Sequence, residues 1–183
     1  QGEINPSLLT SDDKWILLRL DAAIREIAAA FDEYRFSEVA SVLHRFFWNE
    51  YCDWFVEASK AVLQGADMPR KANKLAVIDF VIGHTLRLLH PLIPFVTEEI
   101  WHNVAPRLGI VGNSISTQAY PEAGQIDSQA SSAEADVEWL KSVVSQLRRI
   151  RSELNLAPAK SISLLLENGR ESDRSLMARF DSQ

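Results

Sequence analysis

Two pairs of adjacent carboxylates, Asp12-Asp13 and Glu98-Glu99, are the residues best suited by type to acid–base work. Neighbouring carboxylates can share a proton, yet each pair also opens a stretch of helical periodicity, where acids favour the positive end of the helix dipole. Helix capping is the simpler role for both. The four histidines, His44, His84, His90 and His102, show neither His-x-x-x-His nor His-Glu-x-x-His spacing, and the single cysteine, Cys52, has no partner for a zinc site. Seven glycines are scattered without forming a phosphate-cradling loop, and no serine sits in a nucleophile setting. These 183 residues are expected to carry neither catalysis nor a metal.

Binding chemistry is better represented. Phe46, Phe47, Trp48, Tyr51, Trp54 and Phe55 fall within ten residues. Most must be core, but one or two, such as Trp48, can reach a surface and stack on an unpaired base. Cations gather in two places. In an antiparallel bundle the start of the first helix, the end of the second and the start of the third share one end, which would collect Lys14, Lys60, Arg70, Lys71 and Lys74. Arg148-Arg149-Ile150-Arg151 is the second group; Arg148 and Arg151 share a helix face and could hold phosphates or pair with acids such as Glu153. The candidates for RNA contact are therefore Lys14, Arg45, Trp48, Lys60, Arg70, Lys71, Lys74, Arg148 and Arg151.

The elements that must position these residues are helices. Ser11, Asp12 and Asp13 suit a helix start, and Trp15, Leu18, Ala22, Ile24, Ile27 and Phe31 follow a 3.6 period, with Lys14, Arg19, Arg25 and Glu26 on the polar face. A second helix is expected from about 37 to 63; it is apolar on most sides, as in the centre of a bundle, and closes at Gly65. A third runs from about 70 to 90 with Leu75, Ile78, Ile82, Leu86 and Leu89 along one face. Pro91 and Pro94 then force a corner, because each removes a backbone donor and clashes with the preceding turn. Leu88, Leu92, Ile93, Phe95, Ile100 and Trp101 make this read as a buried corner leading into a fourth helix at 94–104. Glycines and serines mark 106–134 as a long connection, with one short strand at Ser114–Thr117. A fifth helix follows at 133–155 with Val137, Leu140, Val144, Leu147, Ile150 and Leu154 inward, then a strand at Lys160–Glu167, a turn at Asn168-Gly169 and a helix from 171.

The expected fold is mainly α: an up-and-down helical bundle over residues 1–106, a connection over 107–134, and the start of a small α/β unit over 135–183. A composition of 46% hydrophobic and 24% charged residues fits a packed core and not disorder. The net charge of −6 argues against indiscriminate nucleic-acid binding but allows a local basic patch. One cysteine and a polar, turn-like start fit a reducing cytoplasm, and the most apolar window, 75–96, is interrupted by Asp79, His84, Arg87 and His90, as in a core helix.

Three segments together resemble one family. Phe47-Trp48-Asn49-Glu50-Tyr51-Cys52-Asp53-Trp54-Phe55-Val56-Glu57-Ala58-Ser59-Lys60 resembles the aromatic-Trp-x-Glu-Phe-Cys-Asp-Trp-Tyr-x-Glu-x-x-Lys segment of valyl-tRNA synthetases. Leu89-His90-Pro91-Leu92-Ile93-Pro94-Phe95-Val96-Thr97-Glu98-Glu99-Ile100-Trp101 is similar to their Leu-His-Pro-x-x-Pro-Phe-x-Thr-Glu-Glu-x-Trp segment. Residues from Arg148 to Lys160 resemble their Arg-x-Ile-Arg-x-Glu-x-Asn-x-x-Pro-x-Lys segment. Order and spacing agree from about Asp13 to Leu166, while Tyr120-Pro121 stands where the family has Trp-Pro or Phe-Pro.

The resemblance implies the anticodon-binding helical bundle of a class I aminoacyl-tRNA synthetase. Its partners would be the anticodon arm of a valine tRNA and the catalytic domain of the same chain, with no membrane and no DNA. ATP and magnesium would belong to the catalytic domain, upstream of residue 1, and no cofactor is expected here. A further bundle helix with an Asn-Ala-x-Arg-Phe segment would precede Gln1, and a coiled-coil arm would follow. The alternative is a structural bundle that docks on the catalytic domain or another protein, with RNA contacts elsewhere.

Overall fold

The computed structural model of the chain describes residues 3–110, 114–124, 131–157, 160, 167 and 169–180. Helix α1 (Ser11–Asp32) starts one residue earlier than its sequence signals suggest: Thr10 is the cap, and Asp13 Oδ2 accepts the Thr10 amide at 3.0 Å and its hydroxyl at 2.8 Å. Helix α2 is one rod of three windings, α-helical at Phe36–His44, π-helical at Arg45–Val56 and α-helical again at Glu57–Gln64. In helix α3 (Met68–Leu89) Pro69 sits in the first turn, where its missing amide has no intrahelical partner anyway, and Asp67 Oδ1 caps the Arg70 amide at 3.1 Å. Helices α4 (Pro94–Val104), α5 (Ser131–Glu153) and α6 (Glu171–Phe180) complete the chain.

The mainly-α bundle expected from the sequence is the fold observed. Helix α1 lies against α2, α3 and α5, and α4 folds back on α3. The main core joins Trp15, Ile16, Leu20, Ile24 and Ile27 of α1 to Val39, Leu43, Phe46 and Phe55 of α2 and to Val77, Val81 and Leu88 of α3. A second, smaller core under the corner joins Leu86, Trp101, Ala105, Leu108 and Ile115.

Several expectations are corrected. On α3 the most buried stripe is Lys74, Val77, Val81, Thr85 and Leu88; of the expected line Leu86 is buried, Ile78, Ile82 and Leu89 are partly buried against the core, and Leu75 is exposed. The true stripe contains two polar residues that find partners, which hides it from an apolar pattern. The corner is buried only in part. Trp101 and Thr97 are enclosed, with His90 Nδ1 2.8 Å from Thr97 Oγ1, but Leu92, Ile93, Phe95, Val96 and Ile100 are exposed, because α4 is covered on one face alone. Ile150 and Leu154, expected inward on α5, are exposed too. Arg19, assigned to the polar face of α1, reaches across to Glu50 of α2 with two hydrogen bonds of 3.0 and 2.8 Å. Ser114–Thr117 is not a strand: Ile115–Thr117 forms a 3-10 turn, and the Ser114 hydroxyl accepts the Ser116 amide. The strand at Lys160–Glu167 falls on residues 161–166, outside the described residues, as does Asn168 of the turn after it; among the described residues there is no strand.

Candidate nucleic-acid interface

The π-wound centre of α2 sorts its aromatics by depth. Phe46, Tyr51 and Phe55 are buried, Phe47 and Trp54 half-buried, and Trp48 is 57% exposed. Phe47 stacks on Tyr51 at 5.8 Å, Tyr51 meets Phe55 at 5.8 Å, and Trp48 touches Phe47 at 6.5 Å. A surface indole is thus backed by a ladder of rings that descends into the core. Burial pushes the Tyr51 phenol up to about 12, so it stays neutral and part of that ladder. Around Trp48 the exposed positions are polar: His44, Arg45 and Asn49. Arg45 pairs with Glu26 of α1 at 2.5 Å, close to half of its side chain remaining exposed. His44 and Asn49 were not singled out from the sequence; the signal was available, since 44 and 45 lie one helical turn before 48 and 49 and so share the side of α2 that carries Trp48.

The basic end is assembled as the antiparallel arrangement predicts, but its charges are largely spent. Lys60 is 2.6 Å from Glu57 and Arg70 is 3.4 Å from Asp67. Lys74 is no surface cation: it is 1% exposed, with its ammonium 2.6 Å from Asp12 and 2.6 Å from Asp13, 2.8 Å from the Thr10 hydroxyl, and 5.2 Å from the Phe55 ring centre. Burial lifts the Asp13 carboxyl above its ordinary value against the opposing pull of Lys74. Five cations therefore face four carboxylates, and among the described residues of this end Lys14 and Lys71 are the cations with no ion pair.

The α5 arginines are also engaged. The Arg148 guanidinium lies 5.5 Å from the Trp54 ring centre, beside Lys141, whose ammonium is 5.7 Å from the same ring and 5.3 Å from that of Trp15. These cations hold α5 against the bundle. Arg151 donates 2.7 Å bonds to the carbonyls of Ala157 and Lys160 and so fixes the chain after α5.

A cavity of about 550 Å³ lies away from these residues, lined by Glu3, Ile4, Ala76, Asp79, Phe80, Arg107 and Leu108. Asp79 and Arg107 pair across it at 3.4 Å, and neither Asp13, whose carboxyl burial raises, nor His84, whose imidazole burial lowers, lines it. Among the described residues no helix is long and apolar enough to cross a membrane.

A helical bundle that presents an exposed indole on α2, backed by buried rings, offers a surface suited to binding. The chain belongs to the family described as the anticodon-binding domain of tRNA ligase, which matches residues 13–166. It is 50% identical over 97% of its length to a valine–tRNA ligase of Xanthomonas campestris, 51% identical over 97% to that of Xanthomonas axonopodis, and 45% identical over 97% to that of Stenotrophomonas maltophilia. It spans 19% of the length of each of these relatives.

Proposed function

We propose that the chain binds the anticodon arm of a tRNA, and that the tRNA is the one that accepts valine. The exposed indole of Trp48 carries this reading: it offers a ring face to an unpaired base, stands on a rigid aromatic ladder, and is flanked by His44, Arg45 and Asn49 as hydrogen-bond donors or acceptors. Phosphate contact falls first to Lys14 and Lys71, which have no ion pair, and to Arg45, whose pair with Glu26 is exposed beside Trp48. Lys60 and Arg70 can add to it by exchanging exposed carboxylates for phosphates, whereas Lys74, Arg148 and Arg151 serve the fold.

Within a polypeptide of the relatives' length, the domain would hold the tRNA while a catalytic part attaches valine, using ATP and magnesium, in the cytoplasm. The names of the relatives support this reading. Titration of an anticodon stem-loop into the chain tests it, with a duplex RNA of equal length as the control. Saturable binding of the loop and weak binding of the duplex is the expected result; equal affinity for both overturns it.

A further inference from the structure

Four acids lie on α2, and three are spent on neighbours: Glu38 pairs with Arg35, Glu50 with Arg19 and Glu57 with Lys60. The fourth, Asp53, is exposed and makes no ion pair and no hydrogen bond among the described residues. In an α-helix the residue five further on sits roughly 140° round the rod, which would turn Asp53 away from the indole of Trp48. Residues 45–56 are π-wound instead, and there each amide reaches the carbonyl five residues before it, so the fifth residue returns to nearly the same side. Asp53 is the fifth residue after Trp48, and both are exposed. The buried side follows the same winding, since Phe46 with Tyr51 and Glu50 with Phe55 are enclosed together.

A lone carboxylate lowers affinity for RNA in general, because it repels every phosphate alike. What it can do is select. It accepts hydrogen bonds and donates none, so beside a stacking ring it favours a base edge that carries a donor. Adenine, cytosine and guanine each carry an exocyclic amine. Uracil has a carbonyl where cytosine has its amine, and that oxygen against Asp53 both loses the bond and adds repulsion. Asn49, exposed beside Trp48, makes no such choice, since its amide donates as well as accepts.

The geometry points to Asp53 as a specificity-determining residue: it accepts the exocyclic amine of the unpaired base that stacks on Trp48, and so selects adenine, cytosine or guanine against uracil at that position of the loop. This inference rests on the functional reading above. It also gives the π winding a use, since only that winding brings the acid round to the ring.

The test titrates anticodon hairpins, their loop nucleotides replaced one at a time by uridine, into the chain and into Asp53→Asn. The amide keeps the shape of the carboxylate but can also donate, so it tolerates uracil. At one loop position uridine should weaken binding to the original chain by about tenfold or more, as for a lost hydrogen bond to a charged group, and Asp53→Asn should close most of that gap while the other positions stay as they were. Asp53 has no partner to lose, so the urea midpoint of the variant should match that of the original chain. An unchanged uridine profile in Asp53→Asn overturns the inference. So does a uniform gain of affinity for every hairpin, which would make Asp53 a charge that only repels phosphates. In both of those cases loop binding that depends on Trp48 leaves the functional reading standing. Loop binding no tighter than that of a duplex sinks the functional reading, and this inference with it.

Discussion

The Lys74 ammonium and the Asp13 carboxylate meet at 2.6 Å with both side chains 1% exposed. Asp12 completes the cluster at 2.6 Å. Removing one partner leaves uncompensated charge in the core, which costs about 3–5 kcal/mol. Lys74→Met should lower the urea midpoint accordingly, and Asp12→Asn with Asp13→Asn in the same chain should recover part of the loss. Burial already raises the folded pKa of Asp13, and loss of Lys74 removes the charge that opposes that rise. The variant's deficit should thus be smallest at acid pH and grow as pH rises through the carboxylate range. A Lys74→Met chain as stable as the original would remove the cluster from the fold's supports.

The α3–α4 corner predicts two opposite outcomes from neighbouring aromatics. Trp101 is fully buried against Leu86, Ala105 and Leu108, so Trp101→Ala should destabilise by about 3–5 kcal/mol. Phe95 stands in solvent, and Phe95→Ser should stay within about 0.5 kcal/mol of the original. Equilibrium denaturation separates the two; similar losses would mean that α4 is seated differently.

His84 predicts a pH dependence. Burial, with Arg87 nearby, lowers its imidazole to about 4, against a 2.8 Å bond to the Phe80 carbonyl that favours the charged form. The folded pKa is below the unfolded 6.5, so the unfolded chain binds the proton first. Stability from this group is full above pH 6.5 and falls as pH drops towards 4, by up to about 3 kcal/mol. Denaturation at pH 7, 5.5 and 4.5 should show that fall, and His84→Gln should flatten it; parallel curves for the two proteins would refute the assignment.

How much of this could be read in the sequence varies with how each element is covered. Helices α1, α3 and α4 announced themselves to within a residue or two, through Ser11, Asp12 and Asp13, through the apolar period after residue 70, and through Pro94, although the residues that cap α1 and α3, Thr10 and Asp67, were not the ones read. The π winding of residues 45–56 left no such mark. Lys74 illustrates the limit best. By type and position it belonged to a cationic surface, and only the folded chain shows that it turns inward onto Asp12 and Asp13, a whole helix away in sequence. The sequence overstates burial of the corner for the converse reason, since apolar residues do not say whether a neighbour exists to cover them. Trp48 stands out in the sequence as an aromatic able to reach a surface, and it does so; how far it stands out from the fold depends on which sides of α2 its neighbours leave open, which no local pattern records.

Trp48→Ala should leave stability within about 0.5 kcal/mol while weakening stem-loop binding by about 1–3 kcal/mol, the range for one stacked base. Trp48→Phe should retain most of the affinity. Intact binding by the alanine variant would move the stacking site elsewhere on α2. The basic-end residues are tested by Lys14→Glu with Lys71→Glu, since a change at Lys74 would confound binding with folding. For every phosphate deprived of its cation, the slope of log affinity against log salt should fall by about 0.7.

The sharpest measurement is the affinity of the chain for two hairpins that share one stem, one carrying the anticodon loop of a valine-accepting tRNA and the other a scrambled loop. An anticodon-reading surface centred on Trp48 should bind the valine loop more tightly, with the difference shrinking in Trp48→Ala. Equal binding of the two hairpins, or no binding of either at low salt, would rule that surface out.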